Sequence, residues 1–427
     1  MNVEKTSSTI PFGVNLIGIF GKRLSLSESA RLILESLKQA KIPISLISAN
    51  NFANHLIDEP FSYPIENIFK YSINLFTLDS PLIFTFIQSK SWKPFKDRYN
   101  IGLIFWETTR ASRNYTRSWT LLNEIWTTSR FMQDILSKLV SVPVYHLSQP
   151  IEDIAKFTVN SKNPIQFSEL KSAYIEQSLT HPKQPFTFLF SFNFGSVFNR
   201  KNPEAIINAF QIAFPNKKNV RLIIKSTGSN FFVKKLQMMQ KKVKGDPRLV
   251  WIDQSLNQNE YFELVSCCNC YVSLHRSEGL GLTLAEAMLL NKPVIATGYS
   301  GNMDFMNDEN SYLCSYSLIP IGKGSDPYPA NGIWAEPNIQ HAAELMRYVE
   351  ENREEAFLKA CKGRDFIKTY HSFKRVGELI SQRLSSIQLP IPSNPEPKLF
   401  MSLKYFRELR KFLRPVKRAW KHFKSRL

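Results

Sequence analysis

Short apolar runs punctuate the first part of the chain at Val14–Phe20, Ile44–Ala49, Ile73–Leu78, Ile101–Trp106, Glu124–Thr128 and Val142–Leu147, each with the length of a buried strand. Between the first two, Ala30, Ile33, Leu34 and Leu37 recur at steps of three and four and predict a helix over Ser27–Gln39, with Ser25 and Glu28 at capping-box spacing. The stretch Asp153–Pro185 holds no persistent period and carries polar residues and prolines, which marks a linker. The alternation then resumes. Strands are predicted at Phe186–Phe192, Val220–Lys225, Leu249–Ile252, Cys270–His275 and Pro293–Thr297, with helices at Pro203–Phe214, Phe232–Val243, Glu260–Ser266 and Leu284–Leu290. Strand and helix repeated in this way mean an α/β fold whose parallel sheets are covered on both faces. Two such units in tandem predict two Rossmann-like domains facing across a cleft, with chemistry in the loops beyond the carboxyl ends of the strands.

The 427 residues, 43% of them hydrophobic, leave room for two cores. The start MNVEKTSSTI has neither the basic residues nor the apolar run of a secretory leader, and no apolar stretch spans a bilayer, so a cytoplasmic body is expected. Cys267, Cys268 and Cys270 lack a second Cys or His pair at ligand spacing; they read as small core residues, and no metal is expected. The net charge of +19 changes the picture more. Between Lys398 and Arg426 eleven basic residues face the single acid Glu408, and Leu399, Leu403, Phe406, Leu409, Leu413, Val416, Trp420 and Phe423 fall on one helical face. The tail therefore reads as a basic amphipathic helix, kinked at Pro415, that lies on an anionic membrane surface or docks on the protein core. No nucleic-acid recognition motif accompanies the charge, and no nucleic-acid partner is expected.

The richest stretch runs His275-Arg-Ser-Glu-Gly-Leu-Gly-Leu-Thr-Leu-Ala-Glu286. It follows a strand, turns at Gly279 and Gly281, and enters a helix whose first N–H groups and dipole suit a diphosphate. Glu278 and Glu286 bracket the turn, and a carboxylate accepts a pair of sugar hydroxyls well. Thr283 and Glu286 also match a capping box, which leaves a purely structural role open for Glu286. His275 suits a phosphate or sugar contact or, equally, a place in the core.

Glu278 and Glu286, with seven residues between them and followed by Ala-Met-Leu-Leu-Asn-Lys-Pro-Val-Ile-Ala-Thr297, resemble the paired-glutamate signature of retaining GT-B glycosyltransferases of family four, the glycosyl transferases group 1 type. Gly13–Gly18 with Ser27–Arg31, Ile101–Glu107, Asn123–Trp126 with Ser129–Phe131, and Phe188–Phe194 with Arg200–Pro203 are similar to further shared segments, in the order seen in bacterial members that build surface polysaccharides. The resemblance implies a GT-B fold with residues 1–165 as the acceptor-side domain, 166–185 as linker, 186–365 as the nucleotide-sugar domain, 366–390 as a helix returning to the first domain, and 391–427 as the basic tail. It implies that Glu278 contacts the donor sugar and acts in catalysis with Lys201, that Glu286 binds the ribose, and that Gly279, Leu280, Gly281, Leu282 and Thr283 hold the diphosphate. The donor would be UDP- or GDP-linked, with no separate cofactor, and the acceptor a glycan or a lipid-linked glycan at the inner face of the cell membrane.

Two departures stand out. Ser25 and Ser27 occupy positions where small glycines are frequent, and Gly195 and Ser196 stand six and five residues before Lys201, where an arginine is expected. Either Arg200 or Lys225 then supplies the second charge, with Lys225 the favoured candidate because it closes a predicted strand at the cleft. A lysine and a helix N-terminus aimed at the leaving diphosphate lower the barrier electrostatically, in keeping with a chain that has no Asp-x-Asp. On the acceptor side Trp106, Glu107 and Asp79 follow strands and are candidates, each with a structural alternative. A scaffold that binds a nucleotide-sugar or glycan without transferring it is the competing function: the missing arginine favours it, while Glu278, Glu286 and Lys201 argue for an enzyme.

Overall fold

The computed structural model describes residues 10–54, 57–152 and 185–388. The first domain runs β1 (Val14–Gly18), α1 (Ser25–Gln39), β2 (Ile44–Ser48), β3 (Ile73–Thr77), α2 (Ser80–Lys90), α3 (Lys93–Lys96), β4 (Tyr99–Leu103), α4 (Arg113–Trp119), β5 (Glu124–Thr127), α5 (Arg130–Leu136) and β6 (Val144–His146). The second runs β7 (Phe186–Asn193), α6 (Phe198–Lys201), α7 (Pro203–Ala213), β8 (Val220–Thr227), α8 (Val233–Val243), β9 (Leu249–Asp253), α9 (Gln258–Cys267), β10 (Cys270–Ser273), α10 (Leu282–Leu289), β11 (Val294–Thr297) and β12 (Tyr312–Cys314). A hairpin of β13 (Tyr316–Pro320) and β14 (Ile333–Pro337) and the helices α11 (Ile339–Glu351), α12 (Arg353–Tyr370) and α13 (Phe373–Ser385) follow.

Each domain carries a six-stranded parallel sheet, ordered β2-β1-β3-β4-β5-β6 and β12-β11-β10-β7-β8-β9. Strands as apolar as Phe186–Asn193 need cover on both faces, and α7, α8 and α11 on one side with α9, α10 and α12 on the other supply it. In the second sheet β7 pairs with both β8 and β10, so the chain direction switches between β7 and β10. A crevice opens at that point in doubly wound sheets, and the loops after β7 and β10 meet there.

Several expectations change. Glu28 caps nothing: Leu24 is the N-cap of α1, and Glu28 pairs instead with Arg31, which also reaches Glu59 at 2.8 Å. The strand expected to run to Trp106 ends at Leu103, and the chain then turns toward the second domain. Cys268 and Cys270 are buried in the core, where burial pushes both thiols up, as expected of small core residues. The expected linker and the basic tail lie outside the described residues, apart from Pro185. The last helix, α13, lies along α1, with Arg383 paired to the fully buried Glu124 of β5.

Candidate active site

The loop after β7 is shaped by unusual backbone. Asn193 accepts from Gly195 N at 2.7 Å, and the single turn of α6 sits between Val197 (φ 61°) and Asn202 (φ 52°). A β-branched residue at positive φ is strained, and such strain persists where the surroundings enforce it. Here they do. Arg276, just after β10, donates its backbone N–H to Arg200 O at 2.8 Å and its guanidinium to Asn199 O at 2.6 Å, so the two switch-point loops are joined.

That junction brings three charges together, Arg200 and Glu278 buried and Lys201 half-buried. Glu278 accepts from Arg200 Nη1 at 2.9 Å through one oxygen and from Lys201 Nζ at 2.5 Å through the other. Arg200 also donates to Ser277 O at 2.7 Å. Burial alone would raise the Glu278 carboxyl, but Arg200 and then Lys201 outweigh it and hold the group well below the usual carboxylate range. Arg200 is 4% exposed, so it is no solvated loop charge. Of the two residues considered for the second cation, Arg200 stands with Glu278 and Lys201. Lys225 lies two residues inside the end of β8, facing Asp253 and 5.7 Å from the Tyr261 ring centre, and burial lowers it to about 8.

The following turn is packed backbone to backbone. Gly281, the N-cap of α10, has φ 93°, and the first turn of α10 leaves its leading N–H groups without intrahelical acceptors. Ser300 Oγ accepts from Glu278 N at 2.7 Å, and Gly301 N donates to Glu278 O at 3.0 Å. A Cβ on Gly301 would stand 2.0 Å from Gly279 O, so this glycine permits the close approach. The turn at residues 298–302 is thus the backing of the glutamate loop. Leu280 is buried beneath that loop, while Leu282 and Thr283 are partly exposed on the first turn of α10.

His275 belongs to the core. Its Nδ1 accepts from Ser273 Oγ at 3.0 Å, its Nε2 faces Asn302 Oδ1 at 3.1 Å, and burial lowers its pKa. The capping box of Thr283 and Glu286 does not form, since α10 starts after Gly281. Glu286 instead meets the Tyr261 hydroxyl, and burial, with Glu28 and Glu152 nearby, pushes its carboxyl well above the ordinary value.

Across the cleft the acceptor-side candidates divide. Trp106 is buried, donates Nε1 to Arg110 O at 3.0 Å and packs against Tyr115 and Tyr328, so it offers no ring face to a sugar; the strand-end position suggested a surface that these rings cover. Asp79 caps α2 through Leu82 N at 2.8 Å. Glu107 does reach the site: its carboxylate stands 3.8 Å from Arg200, its Cγ packs beside Gly279, and its carbonyl accepts from Ser277 Oγ at 2.5 Å. His146, to which the sequence attached no role, faces Asp304 of the second domain at 3.0 Å.

The family model described as "Glycosyl transferases group 1" matches residues 173–361, the part that holds Arg200, Lys201, Glu278 and Glu286. Over residues 173–361 the chain is similar to the glycosyl transferases group 1 family. Comparison with curated proteins finds no match in sequence. Among solved structures it is similar to HepE of Anabaena in complex with UDP and glucose, at TM-score 0.60 and 13% identity, covering 88% of this chain and 100% of that one. It is similar also to sucrose-phosphate synthase of Thermosynechococcus elongatus, at TM-score 0.60 and 12% identity, covering 88% and 98%. TarM of S. aureus, solved with UDP, aligns at TM-score 0.51 and 14% identity over 74% of this chain and 55% of that one. These likenesses show the GT-B fold for this chain.

Proposed function

We propose that the protein is a retaining glycosyltransferase that moves a sugar from a UDP- or GDP-linked donor to a glycan or lipid-linked acceptor, in surface polysaccharide or glycolipid synthesis. The observation that carries this reading is the charged triad of Arg200, Lys201 and Glu278 at the switch point, beside the N-terminus of α10. Breaking the anomeric bond places negative charge on the leaving diphosphate, and two preorganised cations with free helix N–H groups stabilise it there. In this reading they carry the neutralising role of a divalent metal. Glu286, on the next turns of α10, accepts the ribose hydroxyls, and Lys225 stands as a further donor contact.

Of the two routes to retention, the state of Glu278 supports same-face attack over a covalent glycosyl-enzyme. Both its oxygens are tied to cations and its pKa is depressed, which makes it a weak nucleophile. Attack then comes from the acceptor hydroxyl on the face the diphosphate leaves: the bond from the anomeric carbon to the phosphate oxygen breaks, the bond to the acceptor oxygen forms, and the hydroxyl proton passes to the departing phosphate. HepE has been solved in complex with UDP-glucose, so that donor heads the test. A screen of UDP-glucose, UDP-N-acetylglucosamine and GDP-mannose should find one that raises the thermal midpoint and slowly releases its nucleoside diphosphate. Both effects should vanish in Glu286→Ala. Stabilisation without release in the wild type would favour a binding scaffold instead.

The reading extends to the membrane. Eleven basic residues and a row of apolar ones between Lys398 and Arg426 suit an anionic leaflet, where each basic side chain near the surface contributes about 1 kcal/mol. Ending the chain before Pro397 is expected to reduce co-sedimentation with phosphatidylglycerol vesicles several-fold while leaving donor hydrolysis in place. Equal sedimentation of the two forms would refute the membrane role.

A further inference from the structure

The hairpin of β13 and β14, with residues 321–332 between its strands, leaves the second domain and ends in the first. On its own side Ala335 N donates to Arg276 O at 2.9 Å, Glu336 pairs with Arg276 at 2.6 Å, and Ser325 Oγ accepts from Asn199 Nδ2 at 3.0 Å. On the far side Ile333 N donates to Thr109 Oγ1 at 3.0 Å, while Ile321, Tyr328 and Trp334 complete the apolar core that holds Trp106. The hairpin is a strap. Its anchors Asn199 and Arg276 are chain neighbours of Arg200 and of Ser277-Glu278, so it is tied to the two loops that carry the site.

Tyr328 is where the strap meets chemistry. Its hydroxyl donates to Glu107 Oε2 at 2.8 Å. A tyrosine has one proton to give, and burial together with Glu107 pushes the phenol well above its ordinary value, so it stays a donor. The other oxygen, Glu107 Oε1, takes no hydrogen bond among the described residues; Arg200 Nη2 stands 3.8 Å away, beyond hydrogen-bond length. The Glu107 side chain keeps 19% of its surface exposed, so a ligand can reach that oxygen. A carboxylate with one oxygen tied and the other open beside a guanidinium is an acceptor site for a hydroxyl.

We propose that Glu107 Oε1, held in position by the strap residue Tyr328, is a hydroxyl-binding subsite for the sugar acceptor. Glu107 belongs to the first domain and faces Arg200 on the side away from Glu278, so a hydroxyl bound there approaches the donor site from the opposite domain. Glu107 touches substrate in this scheme; Tyr328 is a positioning residue. The inference rests on the glycosyl-transfer reading above.

The test uses the full chain, the nucleotide-sugar that the wild type hydrolyses, and the p-nitrophenyl glycoside that it glycosylates fastest. Tyr328→Phe, which keeps the ring and loses one proton donor, should raise the acceptor KM about tenfold, the loss of one good hydrogen bond, with the donor KM moving less than about twofold. Glu107→Gln should do the same or more, and the double variant should be no worse than Glu107→Gln alone. Thr109→Ala, which loosens the strap elsewhere, should leave both KM values near wild type. An unchanged acceptor KM in Tyr328→Phe, or a donor KM that rises in parallel, overturns the subsite while the enzyme reading stands. A wild type that turns over no nucleotide-sugar removes that reading and the subsite with it.

Discussion

Lys201→Ala is expected to lower the turnover of the nucleotide-sugar donor by between about tenfold and a thousandfold, the range seen when one preorganised donor to a developing negative charge is removed. It is the half-buried last residue of α6, at the junction of the switch-point loops, where a leaving diphosphate would sit. Burial outweighs the attraction of Glu278 and lowers its pKa. The fold should survive the change, because Arg200 still pairs with Glu278. Donor hydrolysis followed by nucleoside diphosphate release, alongside thermal unfolding, separates the two effects. A variant that folds and turns over donor at the wild-type rate would remove Lys201 from the site.

Arg200→Ala should act on stability first. Taking one partner from a buried ion pair leaves the other charge uncompensated, at a cost of about 3–5 kcal/mol. Here Glu278, only 7% exposed, keeps its contact with Lys201 at 2.5 Å, so the loss should be smaller, about 1–3 kcal/mol. Urea unfolding at neutral pH should show the loss as a lower midpoint. The effect should also depend on pH with a definite sign. The native cluster holds Glu278 below its ordinary value of 4.5, so its stabilisation is complete above that pH and is lost as the pH falls through the depressed value. The gap between wild type and variant should therefore be widest near neutrality and narrow in acid. A gap of the same size at pH 3 would mean that Arg200 supports the fold through packing rather than through Glu278.

Much of this was legible from residue patterns. The alternation of apolar runs and helical periods located all eleven strands it named to within a few residues, because both sheets are buried on two faces and their strands are nearly continuous in hydrophobic residues. Glu278, Gly281 and Lys201 were marked by spacing, since a turn after a strand and before a helix leaves few residue types free to vary. Arg200 was harder: spacing asked for an arginine five residues before Lys201, whereas the strained turn at Val197 brings the adjacent residue to the same carboxylate. Trp106 went astray because its cover comes from Tyr115 and Tyr328, and Tyr328 is 222 positions further on. The strap carried no signal of its own. β13 is mostly exposed, the residues between its strands are rich in glycine and proline, and its apolar members are buried only by the other domain.

The return of α13 to the first domain bears on the order in which the protein is made. Glu124 lies on β5, next to the edge strand β6 of the first sheet, with no exposed surface, and the guanidinium that neutralises it is Arg383, 259 residues later. The face of α1 that α13 covers, with Val376, Ile380 and Leu384 in the same apolar core, stays open until the chain has been synthesised past Ser385. During translation the second domain therefore has all its strands and helices before the first has its last one. The N-terminal half, first out of the ribosome, is the last to be finished.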